Sequence, residues 1–437
     1  MQETVKRVLI ITYYWPPSGG SGVQRWLKMS KYLPENGWQP VIYTAEDAEY
    51  PVEDPSLEKD VAPETEVIRR PIVEPYRFYK RFLGLKKGEK VKAGFINEGA
   101  TKRSWKENLS VWLRGNFFIP DARCWWIKPS VKYLKKYLKE HPVDVIISTG
   151  PPHSMHLIAN ALHKKLNIPW VADFRDPWTD VFYFDSLKLS KCSIRKHKKL
   201  ENQVITQADK VVAVSWHGAD DMRKLGVQNV EVITNGYDEE CTNNGSQIID
   251  NNQFTVSYTG VLLPNESFII WDAFKELCDE NAEFAKALKI NLIGHIDNSV
   301  KKYISEKGLN EKVSNIEYMQ HSQVLEYQQK SDLLLLLIPR AKKAECILTG
   351  KLFEYLAAGR PVLSIGPTEG DAAKVLSETR CGATADYDDK ARMKEIILDI
   401  FNKRTDNQSL IGDRTEVAKY SRRNLAKNYV KLLNQII

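Results

Sequence analysis

Short apolar runs alternate with stretches of helical periodicity along most of this chain. In the first half, Val8–Thr12, Val41–Thr44, Val67–Arg69, Val145–Ser148, Val171–Phe174, Val211–Val214 and Val230–Thr234 read as buried strands. Apolar positions spaced for one helix face predict helices over Val23–Leu33, Ser130–Glu140, Met155–Leu166, Ile194–Ala208 and Gly218–Leu225. The pattern breaks at EECTNNGSQIIDNN (239–252), a polar segment rich in turn formers that reads as a linker. A second series follows, with strands predicted at Thr255–Thr259, Ile290–Ile293, Ile316–Tyr318, Leu333–Ile338 and Pro361–Ile365. Its helices are predicted at Phe268–Cys278, Val300–Lys307, Gln323–Gln329, Thr349–Ala358 and Ala372–Leu376, and Glu416–Ile437 is helical. Such alternation implies parallel sheets covered on both faces, hence an α/β chain of two doubly wound domains, 1–240 and 252–412. A cleft is expected between them, with ligands beyond the carboxyl ends of the strands.

Composition adds few constraints. The 437 residues are 43% hydrophobic and 27% charged, enough apolar content for two or three domains with large cores. The longest apolar run, Leu333–Ile338, is the length of a strand and far from the roughly 18 residues of a membrane span. The first apolar run ends in aromatics and prolines, unlike a secretory leader. The six cysteines are scattered, with no CxxC pair, which suits a reduced, cytoplasmic protein.

Charge changes the picture more. Between Arg69 and Lys139 there are 19 Lys and Arg against 5 Asp and Glu, while the whole chain is only +7, so the remainder is net negative. Aromatics interleave with this block, in RFYKRFLG (77–84) and WLRGNFFIPDARCWWIK (112–128). Two readings stand: solvated helices whose aromatics belong to the core, or a surface for anionic lipid at the inner face of a membrane. Nucleic acid is disfavoured, since no nucleic-acid module motif is present.

Candidate chemistry lies at the ends of predicted strands. The stretch TGKLFEYLAAGRPVL (349–363) starts a helix, with Thr349 as cap and Gly350 allowing close approach to the backbone. Lys351 lies in its first turn, and Glu354 follows three residues later on the same face. A helix N-terminus with a cation suits a phosphate, and a carboxylate one turn deeper suits a ribose diol. YYWPPSGGSGVQRW (13–26) places Gly19, Gly20 and Gly22 before a helix, a loop that can approach an anion or sugar. A dinucleotide fingerprint fits it less well, because Arg25 stands where a third small residue belongs and five residues separate strand from glycines. Asp173, Arg175 and Asp176 end a strand, as catalytic groups or as an ion pair that fixes a loop. His153 and His156 lack a third ligand at metal spacing, and Asp386-Tyr387-Asp388 reads as a solvated turn, so no metal site is assigned.

Six segments in order resemble GT-B fold glycosyltransferases, in particular the retaining family 4 (group 1) enzymes of bacterial polysaccharide and cell-envelope assembly. They are the YYWPPSGGSGVQRW opening with its GWQPVIYT strand, TGPPHS and DFRDPW, ITNGYD, YTG, and GKLFEYLAAGRPVL. The resemblance implies two Rossmann-like domains, a nucleotide-sugar donor on the second, an acceptor on the first, and a C-terminal helix (416–437) packing back on the first. It implies no cofactor and no metal. Glu354 matches the carboxylate that holds the donor ribose, and Gly19 and Gly20 match the loop near the donor phosphates. Gly260 of YTG opens the donor domain, and Asn235 of ITNGYD and His153 of TGPPHS fall on the acceptor side. Asp173, Arg175 and Asp176 would orient the reacting sugar or the acceptor hydroxyl.

Two departures accompany the resemblance. Relatives have a second glutamate eight positions before the ribose carboxylate, where this chain has Cys346 with Glu345 adjacent. Relatives also carry an Arg and a Lys after the first strand of the second domain, where GVLLPNES (260–267) has neither. Lys351 and Arg340 are the expected substitutes toward the diphosphate. The implied activity is transfer of a sugar from a UDP- or GDP-sugar to a glycan or lipid-linked acceptor. A nucleotide-sugar 2-epimerase and a non-catalytic glycan-binding relative are the alternatives.

Overall fold

The computed structural model describes all residues except 1–4, 75–104, 182–183, 240–241, 243–251, 265–267, 318 and 405–411. Most of the expected linker, the 77–84 aromatic segment and the end of GVLLPNES lie outside the described residues. The chain divides into two compact units, residues 1–233 with 425–437, and residues 234–424.

The first unit is built on a seven-stranded parallel sheet in the order β3-β2-β1-β4-β5-β6-β7. These strands are Lys6–Ile11, Trp38–Glu46, Glu66–Pro71, Val145–Gly150, Trp170–Phe174, Lys210–Ala213 and Val230–Val232, numbered β1 to β7 in chain order. Its helices are α1 (Ser21–Ser30), α2 (Trp105–Phe117), α3 (Ile127–Glu140), α4 (Ser154–Leu166), α5 (Lys191–Gln207) and α6 (Trp216–Lys224). Successive residues of a strand point to opposite faces. Leu9 and Ile11 accordingly join one core with Met155 and Trp170, and Val8 and Ile10 join another with Trp26 and Trp38. The second core is completed by Leu425, Tyr429, Val430, Leu432 and Leu433, near the C-terminus.

The second unit carries a six-stranded parallel sheet in the order β10-β9-β8-β11-β12-β13. Its strands are β8 (Phe254–Thr259), β9 (Leu288–Ile293), β10 (Val313–Ile316), β11 (Leu333–Leu337), β12 (Val362–Ile365) and β13 (Gly382–Ala385). The helices are α7 (Ile269–Glu280), α8 (Ala282–Ala287), α9 (Asn298–Glu306), α10 (His321–Gln329), α11 (Gly350–Ala358), α12 (Asp371–Thr379), α13 (Lys390–Lys403) and α14 (Arg414–Ala418). All five residues of β11 are buried, as a strand covered on both faces requires.

Sequence periodicity did not predict α2, α8, α13 or β13, nor the division of the terminal helix. Helix α2 was hidden by its aromatic and basic composition, and β13 is a GATA edge strand without a large apolar residue. The expected terminal helix is two, α14 and α15 (Arg422–Leu433). It breaks where the Tyr237 backbone pairs with Tyr420 and Arg422. Strand order reverses between β1 and β4 in one sheet and between β8 and β11 in the other. These are the switch points where doubly wound sheets open a crevice at their carboxyl ends.

Candidate active site

In the first unit, the groups singled out from sequence gather at the carboxyl ends of β1, β4 and β5. The loop after β1 is tied by its backbone to the segment after β2, with the Gly19 N–H donating to Val52 O at 2.8 Å. Gly20 is exposed and has φ +80°, a conformation glycine adopts without strain, and it serves as N-cap of α1. The Arg175 guanidinium donates to Gly22 O at 2.6 Å and to Pro151 O, joining the glycine loop to the turn after β4. Arg175 therefore fixes the shape of this end of the sheet. Asp176 is an exposed residue whose carboxylate accepts no hydrogen bond among the described residues, so of the two acids it is the one left unsaturated.

Asp173 takes a different role from the expected one. It is fully buried, and both carboxylate oxygens are occupied. Arg25 donates from Nε and Nη2 at 2.9–3.2 Å, Trp26 Nε1 and Thr149 Oγ1 each donate at 2.8 Å, and the Tyr429 hydroxyl donates at 2.5 Å. Burial pushes this carboxyl upward, but Arg25 and the hydrogen bonds outweigh it and hold it below its ordinary value. Asp173 is a structural hub with no acceptor site left for a substrate, which corrects the expectation of a direct catalytic contact. Its partner Arg25 entered the sequence reading only as a residue spoiling a glycine fingerprint. The available signal was a charged residue on the apolar face of a helix, which needs a buried partner.

His153 is buried and stacks on Trp178, with ring centroids 4.4 Å apart. His156 pairs through Nδ1 with Ser148 Oγ at 2.8 Å, and burial first, then Arg175, pushes its pKa down to about 3. Both imidazoles pack as neutral aromatic rings. Asn235 belongs to the other unit.

The second unit brings Gly260, Lys351 and Glu354 together. Helix α11 starts at Gly350, which is exposed, and ends at Gly359 in the left-handed conformation. Thr349 does not cap it: its hydroxyl is buried and without a partner, against expectation. Lys351 reaches back to the end of β8, where Nζ donates to the Tyr258 hydroxyl at 3.0 Å and lies 4.3 Å from the ring centroid. At Gly260, with φ +119°, a Cβ would meet Lys351 Nζ at 3.3 Å, so glycine there leaves room for the ammonium. The loop after β8 lacks its own Arg or Lys in the part described, and α11 supplies a cation to the same place.

Glu354, one turn into α11, is held from both sides by α10. His321 Nε2 lies 3.1 Å from Oε1, and Gln328 Nε2 donates to Oε2 at 3.2 Å. The two are seven residues apart and therefore share a helix face. Gln328 also donates to Thr259 Oγ1 at 3.3 Å, and that hydroxyl lies 3.1 Å from the Tyr355 hydroxyl, which ties the carboxylate to the end of β8. Burial works against the charged form of Glu354. His321, Gln328 and the more remote Arg422 outweigh it, and the carboxyl stays below its usual range. The side chain is 26% exposed. A carboxylate offers about four lone-pair directions, so one on each oxygen remains free for two hydroxyls. His321 and Gln328 were not singled out in the sequence; the signal was a glutamine at a fully buried position.

Arg340 and Glu345 stand apart from this group. Arg340 is half exposed and paired with Asp388 at 2.7 Å, over the Tyr387 ring, so its cation is already matched and the expected diphosphate role is not set up. The backbone of Glu345 packs against Gly370, and its carboxylate accepts no hydrogen bond among the described residues. Among the described residues there is no group of three or more His, Cys, Asp or Glu placed to hold a metal ion.

Residues 97–240 match the model of Glycosyltransferase Family 4. A search of curated proteins finds no match. Solved structures align over nearly the whole chain at low identity. Sucrose-phosphate synthase from Thermosynechococcus elongatus is 13% identical, with 98% of each chain covered and a TM-score of 0.63. HepE of Anabaena, solved with UDP-glucose, is 13% identical over 98% of this chain and 99% of its own, with a TM-score of 0.59. S. aureus TarM, solved with UDP, is 13% identical over 98% of this chain and 100% of its own, with a TM-score of 0.61. The chain therefore has the two-domain α/β GT-B fold of these glycosyltransferases.

Proposed function

We propose that this protein is a glycosyltransferase that moves a sugar from a nucleoside-diphosphate sugar, UDP- or GDP-linked, to a glycan or lipid-linked acceptor in polysaccharide biosynthesis. The observation that carries this reading is the Glu354 carboxylate, held on both oxygens by His321 and Gln328 and set three residues from Lys351 at the start of α11. HepE and TarM were solved with UDP-glucose and UDP, which supports a uridine nucleotide as the first ligand to test.

In this reading, Glu354 accepts from the two ribose hydroxyls through the lone pairs its protein partners leave free. Lys351 and the N–H groups that begin α11 face the diphosphate. When the glycosidic bond to the donor phosphate breaks, the leaving diphosphate gains negative charge, and preorganised positive groups stabilise that state more than the ground state. No metal ion is assigned to this step, and the configuration is retained. On the first unit, the N-terminus of α1 behind Gly20 is open to a sugar hydroxyl or an anion. Asp176 accepts a hydrogen bond from the acceptor hydroxyl, with Arg175 keeping the surrounding loops in place. The protein works in the cytoplasm, at the inner face of a membrane.

Thermal shift against UDP, GDP, CDP and NAD tests the donor half. One nucleoside diphosphate raises the unfolding temperature of the wild type, and Glu354→Gln removes that rise while leaving the unliganded midpoint close to wild type. The reading fails if no nucleoside diphosphate stabilises the protein or if NAD alone does. Turnover of a sugar nucleotide to its epimer with no acceptor present would replace the transferase with the 2-epimerase.

A further inference from the structure

The described residues contain eleven exposed large apolar side chains, and five of them lie between Leu109 and Trp125: Leu109, Trp112, Leu113, Phe117 and Trp125. These five include every exposed Trp or Phe of that set. The aromatic rings are in contact, Trp112 with Phe117 at 6.0 Å and Phe118 with Trp125 at 5.3 Å between centroids. A clustered apolar surface is costly in water and marks an interaction site far more often than scattered single residues do.

The fold fixes where this helix sits. A Cβ on Gly115 would meet Leu189 Cδ2 at 2.6 Å, so α2 sits tightly on the segment before α5. Asn116 locks that contact, donating to Lys188 O at 3.3 Å and accepting from Ser190 N at 2.7 Å. Around this contact Trp112, Leu113 and Phe117 stay exposed, Phe117 most of all at 66%.

The same docking adds charge that the linear sequence keeps far away. From Lys188 to Lys199 the chain has six Lys and Arg and no Asp or Glu. Lys196 lies within electrostatic reach of Cys124, the residue before Trp125. Helix α3, beginning two residues after Trp125, exposes Lys128, Lys132, Lys135, Lys136 and Lys139. Neither Lys128, Lys191 nor Lys196 is ion-paired to a described carboxylate.

We propose that this surface docks on an anionic lipid bilayer, with Trp112, Phe117 and Trp125 entering the interfacial layer and Lys128, Lys191 and Lys196 facing the head groups. An interface of that kind is both apolar and negative, and it rewards aromatic and cationic side chains together. A second copy of the chain would present the same positive charge. Nucleic acid would find no use for Leu109 and Leu113. The surface belongs to the first unit alone, so it stands or falls independently of the nucleotide site on the second.

Sedimentation of the full chain with phosphatidylcholine vesicles, with and without phosphatidylglycerol, tests this at low and high salt. The wild type co-sediments with the anionic vesicles at low salt and not with neutral ones. The triple substitution Lys128→Gln, Lys191→Gln, Lys196→Gln lowers partitioning about a hundredfold, at roughly fivefold for each charge lost near the surface. Trp112→Ser, Phe117→Ser and Trp125→Ser together remove the fraction that stays bound at high salt. All six positions are exposed, and an unchanged circular dichroism spectrum and nucleotide response show that each variant is folded. Equal sedimentation with neutral vesicles overturns the proposal, as does indifference to both triple variants. Tighter binding to an oligonucleotide than to anionic vesicles, or a dimer that the aromatic variant dissolves, also overturns it.

Discussion

Asp173 and Glu354 look alike in sequence, each an acid in a motif singled out for chemistry, yet the structure gives them opposite work. Asp173 is inaccessible and bound by four residues of its own unit. Glu354 is held by two, remains partly exposed, and retains acceptor capacity on each oxygen. Both are held below the ordinary carboxylate range against the opposing effect of burial, so a depressed pKa does not separate them. The separating quantity is hydrogen-bond capacity left over after folding. A saturated carboxylate stabilises the protein, whereas an oriented and unsaturated one is ready for a ligand.

The largest test of this contrast is Asp173→Asn. It leaves the Arg25 guanidinium buried without a counter-charge, and breaking a buried pair from one side costs about 3–5 kcal/mol. Urea unfolding followed by a probe in the first unit should show a loss of that size. A loss under about 1 kcal/mol, the range of a surface pair, would return Asp173 to the list of open groups. A smaller effect is expected from Gln328→Ala, which frees one oxygen of Glu354 from its positioning partner. Nucleotide affinity should fall about tenfold, the value of roughly one hydrogen bond to a charged group. Gln328→Glu should lower it further by placing like charges together. An unchanged affinity would mean that Glu354 is oriented without α10.

The smallest effect is in the acid limb of stability. Both carboxyls titrate lower in the folded protein than in the unfolded chain, so the unfolded state takes up protons first as pH falls. Their stabilisation is complete above the unfolded values, near 3.8 for Asp and 4.5 for Glu, and is lost as pH drops through the folded ones. Stability measured from pH 6 downward should fall less steeply in Asp173→Asn than in the wild type, with a weaker flattening in Glu354→Gln. A wild-type slope in Asp173→Asn would refute the assignment.

Much of the fold was legible because parallel strands buried on both faces must be continuously apolar. The runs at Val8, Val145, Val171 and Leu333 follow from that requirement alone. The edge strand β13 escaped notice because an edge needs less apolar surface, and α2 escaped because its apolar residues face water. The pairing of Lys351 with Glu354 was legible for a similar reason: both belong to one short helix, where spacing fixes direction. Their partners were not, since Tyr258, His321 and Gln328 come from other elements and only packing brings them near.

The sequence by itself determined the two α/β series, the helix that carries Lys351 and Glu354 on one face, and the excess of positive charge between Arg69 and Lys139. These are properties of local period and composition, and the chain carries them before it folds. The tertiary structure decided which acid is consumed by folding and which is left open, because hydrogen-bond capacity is spent on partners as distant as Arg25 and Tyr429. It also decided that Lys196 lies within electrostatic reach of Cys124, the neighbour of Trp125, since the seat of α2 on the segment before α5 is a packing contact that linear periodicity does not encode.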